Sequence, residues 1–126
     1  MAKEVIATKN APGAIGPYSQ AIKANGCVFA SGQLGLVPVT GEFAEGGIEE
    51  QTRQSLTNVK SVLEAAGSGL EKVVKTTVFL KDIKDFAAMN KVYSKFFKTD
   101  CPARSAVQIA ALPKDGLVEI EVIAEA

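Results

Sequence analysis

Residues 117–124 read LVEIEVIA, an alternation that only a half-buried β-strand satisfies well. Val118, Ile120, Val122 and Ala124 share one side, and Leu117, Glu119, Glu121 and Ile123 share the other. Such a strand needs an apolar layer against one face, and only two stretches have the periodicity to supply it. Residues 48–66 place Ile48, Leu56, Val59, Leu63 and Ala66 on one helical face, with Gly67 as a stop. Residues 86–97 repeat Phe86, Met89, Tyr93 and Phe96 or Phe97 at spacings of three and four. Asp82 or Asp85 can cap that second helix, and its aromatic residues are expected in the core.

The remaining apolar sequence reads as strands. Residues 4–8 form a short one, and two runs flank Asn25-Gly26, the strongest short hairpin signal. Between and after them lie turn-rich loops, with Gly13, Gly16, Pro38 and Gly41 breaking any regular element. Residues 71–82 are rich in β-branched side chains and predict a central strand. The stretches RSAVQIAAL and LVEIEVIA predict the last two strands, joined by PKDG. The order β-β-β-α-β-α-β-β describes an α+β fold, a mixed sheet of about six strands with two helices packed on one face. Residues 1–126 fit a single domain.

Two helices cover only one face. With Val107 and Ile109 on one side of their strand, Arg104, Ala106, Gln108 and Ala110 fall on the other. The uncovered face is then expected to mix alanines, an arginine and glutamates, a surface suited to another subunit. A tight hairpin through residues 110–116 would set Glu119 nearer Gln108 than Arg104, leaving a gap that twist, an irregular turn or a neighbouring subunit must close.

Composition removes several chemistries. The chain has no histidine, which excludes Ser-His-Asp and Cys-His catalysis and histidine metal sites. Two isolated cysteines, Cys27 and Cys101, do not make a zinc site. Cys27 is expected in the core and Cys101 at the surface. Net charge is zero and no basic stripe occurs, so neither nucleic acid nor an anionic membrane is an expected partner. The first ten residues alternate charged and apolar side chains without an apolar signal core, consistent with a cytoplasmic protein. Of fourteen lysines and arginines only Arg53 and Arg104 are arginine. A guanidinium offers the planar fork that grips a carboxylate with two parallel bonds.

The segments APGAIGPYSQAI, SGQLGL, VVKTTVFLKDIKDFAAMNKVYSKFF and PARSAVQIAALPKDGLVEIEV, in this order, resemble the RidA/YjgF family of reactive-intermediate deaminases over essentially the whole chain. The resemblance implies a chorismate-mutase-like fold, a homotrimer with clefts between subunits, and no metal or organic cofactor. It implies hydrolysis of 2-imino acids, or their enamine tautomers, to 2-oxo acids and ammonia, the intermediates coming from pyridoxal-phosphate dehydratases. By its motifs Arg104 would bind the substrate carboxylate and Glu119 would handle water and protons. Tyr18 would cover the ligand, Ser31 and Gly32 would bring the backbone close, and Ala106 would offer backbone contact, while Asn90, on the second helix, either supports the cleft or bonds locally. Ala106 stands where the family often has cysteine, which argues against an essential thiol there. A non-catalytic trimer binding small carboxylates would use the same arginine. Holdase activity would not depend on it, and the family's association with RNA cleavage and translation inhibition finds no basic or histidine-bearing surface here.

Overall fold

A computed structural model describes residues 2–126. Six strands form one sheet: β1 (Glu4–Ile6), β2 (Ala21–Ala24), β3 (Cys27–Leu34), β4 (Val73–Leu80), β5 (Ala103–Gln108) and β6 (Val118–Glu125). Helices α1 (Ile48–Ala65) and α2 (Phe86–Phe96) pack on one face. The predicted α+β layering is therefore present.

Local chemistry accounts for the boundaries. Asn25 (φ 55°) and Gly26 (φ 78°) turn β2 into β3 through two left-handed residues, the geometry that matches the twist of a tight hairpin. Helix α1 ends as predicted at Gly67 (φ 80°), where Ser68 N–H donates to Leu63 O at 2.8 Å and Gly67 N–H to Glu64 O at 3.0 Å. Asp82 caps the short 3-10 turn preceding α2, accepting from Lys84 N–H at 2.9 Å.

The strand order is β1-β2-β3-β6-β4-β5, antiparallel except for the parallel β4–β5 pair. This corrects one expectation. The last two strands do not form a hairpin, because β4 lies between them and pairs with both. A parallel β4–β5 pair requires a crossover, and α2 supplies it. Gln108 and Val118 both pair with Leu80, so Gln108 stays level with the start of β6 but one strand removed.

The register also corrects the assignment of faces. Arg104, Thr76 and Val122 stand abreast, and Thr76 and Val122 are buried beneath the helices. Arg104 and Ala106 therefore lie on the helix side at the edge strand, not on the open face. Ser105, Thr77 and Glu121 share the open side, where Val107 and Phe29 are exposed. The core between sheet and helices is built from Leu56, Val59, Leu63, Val78, Leu80, Met89, Val118 and Ile120, each fully buried. Each such side chain contributes about 1.5–3 kcal/mol of transfer free energy.

Candidate active site: two half-sites on opposite faces

The first half-site is organised by Arg104. From the edge strand β5 its guanidinium reaches under α2, where Nη1 donates to Asn90 Oδ1 at 2.7 Å. The guanidinium carbon lies 4.7 Å from the centre of the Tyr93 ring and 5.3 Å from that of Phe86. Phe86, Asn90 and Tyr93 are spaced four and three apart, so one helical face presents two rings and an amide to a single cation. Tyr93 is fixed in turn by a 2.8 Å hydrogen bond between its hydroxyl and Thr76 Oγ1, and by packing on Phe97 at 4.8 Å between ring centres. Burial raises the Tyr93 pKa above its ordinary value, opposed by the Thr76 bond and the Arg104 charge, so the phenol stays neutral beside the guanidinium.

A cavity of about 470 Å³ opens beside this group, lined by Asn90, Tyr93, Ser94, Cys101 and Arg104 among others. Arg104 has no carboxylate partner within salt-bridge distance among the described residues. The guanidinium is thus held by π faces and a neutral amide, with its anion-binding capacity unspent. Asn90, read from sequence as supporting the cleft or bonding locally, is its hydrogen-bond partner. The Phe86 and Tyr93 rings, read from sequence as core alone, also form its platform. Their spacing around Asn90 was the available signal. Ala106 is half-buried two residues on, against the core.

The second half-site surrounds Glu119 on the open side of β6. The β3–β6 register slips between Ala30 and Gln33, and the irregularity contains Ser31 and Gly32. A Cβ built on Gly32 would stand 2.7 Å from the Glu119 carboxyl carbon, so glycine here gives the carboxylate its place. Burial raises the Glu119 pKa above the ordinary value of 4.5, and the like charge of Glu121 raises it further. Tyr18, Leu34 and Glu119 line a mostly apolar cavity of about 500 Å³, and Tyr18 remains half-exposed.

Polar side chains that sequence reading passed over hold this half-site in shape. Gln20 Oε1 accepts from Thr8 N–H at 2.7 Å while its Nε2 donates to Pro12 O at 2.7 Å and Thr8 O at 3.1 Å, fixing the loop that carries Tyr18. Ser31 donates its hydroxyl to Ser19 O at 2.6 Å and its amide to Gln20 O at 2.9 Å. Both Ser31 donors are therefore engaged in binding the loop to β3. From α1, Ser55 donates to Gln33 O at 2.6 Å, and Asn58 donates to Leu36 O at 2.8 Å and Leu34 O at 3.1 Å. Gln51 Oε1 accepts from Leu117 N–H at 3.0 Å. These buried polar groups interrupt the apolar face of α1, and they complete the backbone bonds that the bulged strand leaves unmade.

The two half-sites do not meet within one chain. Arg104 pairs with Thr76 and Glu119 with Phe79, three residues along β4 and on its opposite edges. With strands about 4.8 Å apart and a rise of about 3.3 Å per residue, their backbones are roughly 14 Å apart. Their side chains also point to opposite faces. Cys27 and Cys101 are both free thiols, Cys27 half-buried and Cys101 exposed. Among the described residues no cluster of three His, Cys, Asp or Glu could hold a metal ion, and no helix is long and apolar enough to cross a membrane.

Comparison with known proteins places the arrangement. Residues 8–126 match the family model described as Endoribonuclease L-PSP. A RutC family protein of Pyrococcus horikoshii is 57% identical over 122 residues, covering 97% of each chain. The human protein named 2-iminobutanoate/2-iminopropanoate deaminase is 48% identical over 122 residues, 97% of this chain and 89% of its own. A crystal structure of E. coli TdcF with bound serine superposes with a TM-score of 0.93 at 46% identity, covering 98% of both chains. The chain belongs to the endoribonuclease L-PSP family, within which its relatives include the reactive-intermediate deaminases.

Proposed function

We propose that this protein is a 2-imino acid deaminase that works as a homotrimer, its active sites formed where the Arg104 half-site of one subunit faces the Glu119 half-site of the next. The observation that carries the reading is the separation itself. A cation prepared for an anion and a partly buried carboxylate lie on opposite faces of one sheet, so only a second copy brings them together. The open face supports such assembly, since Val5, Phe29 and Val107 leave apolar surface exposed there. Relatives named 2-iminobutanoate/2-iminopropanoate deaminase support the substrate class.

The chemistry follows from the groups present. Arg104 would take the substrate carboxylate by two parallel bonds and so fix the adjacent C=N carbon. Water adds to that carbon, with Glu119 accepting its proton. Return of that proton to nitrogen completes the carbinolamine, and passage of the carbinolamine's hydroxyl proton to nitrogen, again through Glu119, breaks the C–N bond, releasing ammonia and leaving the 2-oxo acid. A carboxyl whose pKa is raised by burial serves both transfers better than a fully solvated one. Tyr18 covers the cavity and restricts water. A cytoplasmic setting belongs to the same reading, since two free thiols suit a reducing compartment.

Release of 2-oxobutanoate from threonine dehydratase, in the presence of semicarbazide to trap free imine, tests the reading. The wild type should outcompete the trap, and folded, oligomeric Arg104→Ala should not. A wild type that fails to outcompete it refutes imine hydrolysis. A wild type that binds 2-oxobutanoate but never outcompetes the trap would favour a carboxylate-binding module instead, and a Glu119→Gln variant that turns over normally would remove Glu119 from the chemistry.

A further inference from the structure

The chain enters β6 through Pro113-Lys114-Asp115-Gly116, closed by Gly116 N–H donating to Pro113 O at 3.1 Å. Both central residues are left-handed, Lys114 at φ 57° and Asp115 at φ 61°. A turn of this kind favours Asn-Gly, and the chain uses that pair between β2 and β3. Lysine carries a Cβ into a region that L-residues avoid, so its conformation is strained where asparagine or glycine would relax it. Asp115 has a structural reason to be here, because its carboxylate pairs with Lys81 Nζ at 2.8 Å. Gly116 has another, since a Cβ there would lie 2.9 Å from the Leu34 side chain. Lys114 has neither. It is exposed and makes no ion pair among the described residues.

What the turn does accomplish is placement. Lys114 lines the same cavity as Glu119 and is the single cation among its lining residues. An anionic substrate approaching that cavity from solvent meets apolar walls and the charge of Glu119 before it reaches Arg104 of the neighbouring subunit, and Lys114 is the cation of the cavity's own chain that offsets that repulsion on the way in. The lysine stem can lie along the apolar rim while its ammonium stays in water at the mouth. We propose that Lys114 is a substrate-capture residue, held in a left-handed turn so that its ammonium draws the substrate carboxylate to the Glu119 cavity. The inference rests on the substrate being a small carboxylate, as in the proposed function.

The test uses Lys114→Gly and Lys114→Asn, which relax the turn, together with Lys114→Arg, in the full-length oligomer. Removing the cation should raise KM about tenfold while kcat stays within about twofold, because capture precedes chemistry. The decline of kcat/KM with added salt should be shallower than in the wild type. Lys114→Arg should restore both, and Lys114→Gly should melt no lower than the wild type. Wild-type KM and salt dependence in folded Lys114→Gly would overturn the proposal, as would failure of Lys114→Arg to rescue. Should the wild type show no imine hydrolysis, the functional reading fails, and calorimetric binding of 2-oxobutanoate decides the inference separately. Weaker binding by Lys114→Gly than by the wild type supports capture. Equal binding, or none by the wild type, overturns it.

Discussion

Gly32→Ala isolates the position of the Glu119 carboxylate from everything else in the fold. The backbone of Gly32 is not in the left-handed region, so alanine meets no dihedral penalty there. The new methyl would lie 2.7 Å from Glu119 Cδ, 2.9 Å from Cγ and 3.0 Å from Oε1. Carbon atoms rest comfortably at about 3.5–4.0 Å, so the carboxylate must retreat by roughly 1 Å. The group that must move is the end of a flexible side chain on the open side of the sheet, and an off-rotamer adjustment costs only about 0.5–1.5 kcal/mol. A displacement of about 1 Å in a reacting group, by contrast, costs on the order of 10²-fold in rate. Gly32→Ala should therefore fold and assemble normally, melt within a few degrees of the wild type, and lose about 10²-fold in kcat/KM in the semicarbazide competition assay. Binding of 2-oxobutanoate through Arg104 should change far less. Full activity in a folded Gly32→Ala protein would refute the role given to this close approach, and with it the placement of Glu119 in the chemistry.

Other outcomes follow from the same geometry. Arg104→Lys keeps the charge but loses the fork and its fit against the Tyr93 and Phe86 rings, so kcat/KM should fall about 10²-fold with little change in melting; near wild-type kinetics would show that charge alone suffices. Glu121 raises the Glu119 pKa, so Glu121→Gln should move the acidic limb of the kcat/KM profile to lower pH, and an upward or absent shift contradicts the assignment of that limb to Glu119. In the isolated subunit Glu119 holds its proton to higher pH than in the unfolded chain. The native state thus binds more protons just above pH 4.5, and stability falls as pH rises through the folded pKa. Glu119→Gln should flatten that slope in denaturant unfolding at protein concentrations low enough to keep the subunits apart, and in the assembled protein it should lower turnover by about 10²-fold or more.

Much of this architecture was legible because its signals are local. Asn25-Gly26 and Gly67 mark left-handed positions, the β-branched run ending at Leu80 is an interior strand, although one place in from the β5 edge and not at the centre, and LVEIEVIA places Glu119 opposite the core. The neighbours of that strand were not legible. Two strands joined by seven to nine residues suggest a hairpin, and nothing local says that β4 will come between them. The phase of β5 was misread for a related reason. Its alternation sets Ala106 against Val107, a weak contrast on an edge strand where either face can be the drier one. The resolved phase separates Arg104 from Glu119 by a whole sheet, turning a puzzle about hairpin geometry into an argument for assembly. The buried Gln51, Ser55 and Asn58 are visible in retrospect as polar breaks in the apolar face of α1. Their partners, from Gln33 to Leu36 and at Leu117, lie on β3 or on the chain beside β3 and β6, beyond the reach of periodicity.

Mixed oligomers test the shared site most directly. Arg104→Ala and Glu119→Gln proteins, each inactive alone, are denatured, combined in equal amounts and refolded together. A site between subunits works when its arginine comes from a Glu119→Gln chain and its glutamate from an Arg104→Ala chain. Random assembly then restores about one quarter of the wild-type activity. A site within one chain restores none, and a mixture no more active than its parents would contradict the account.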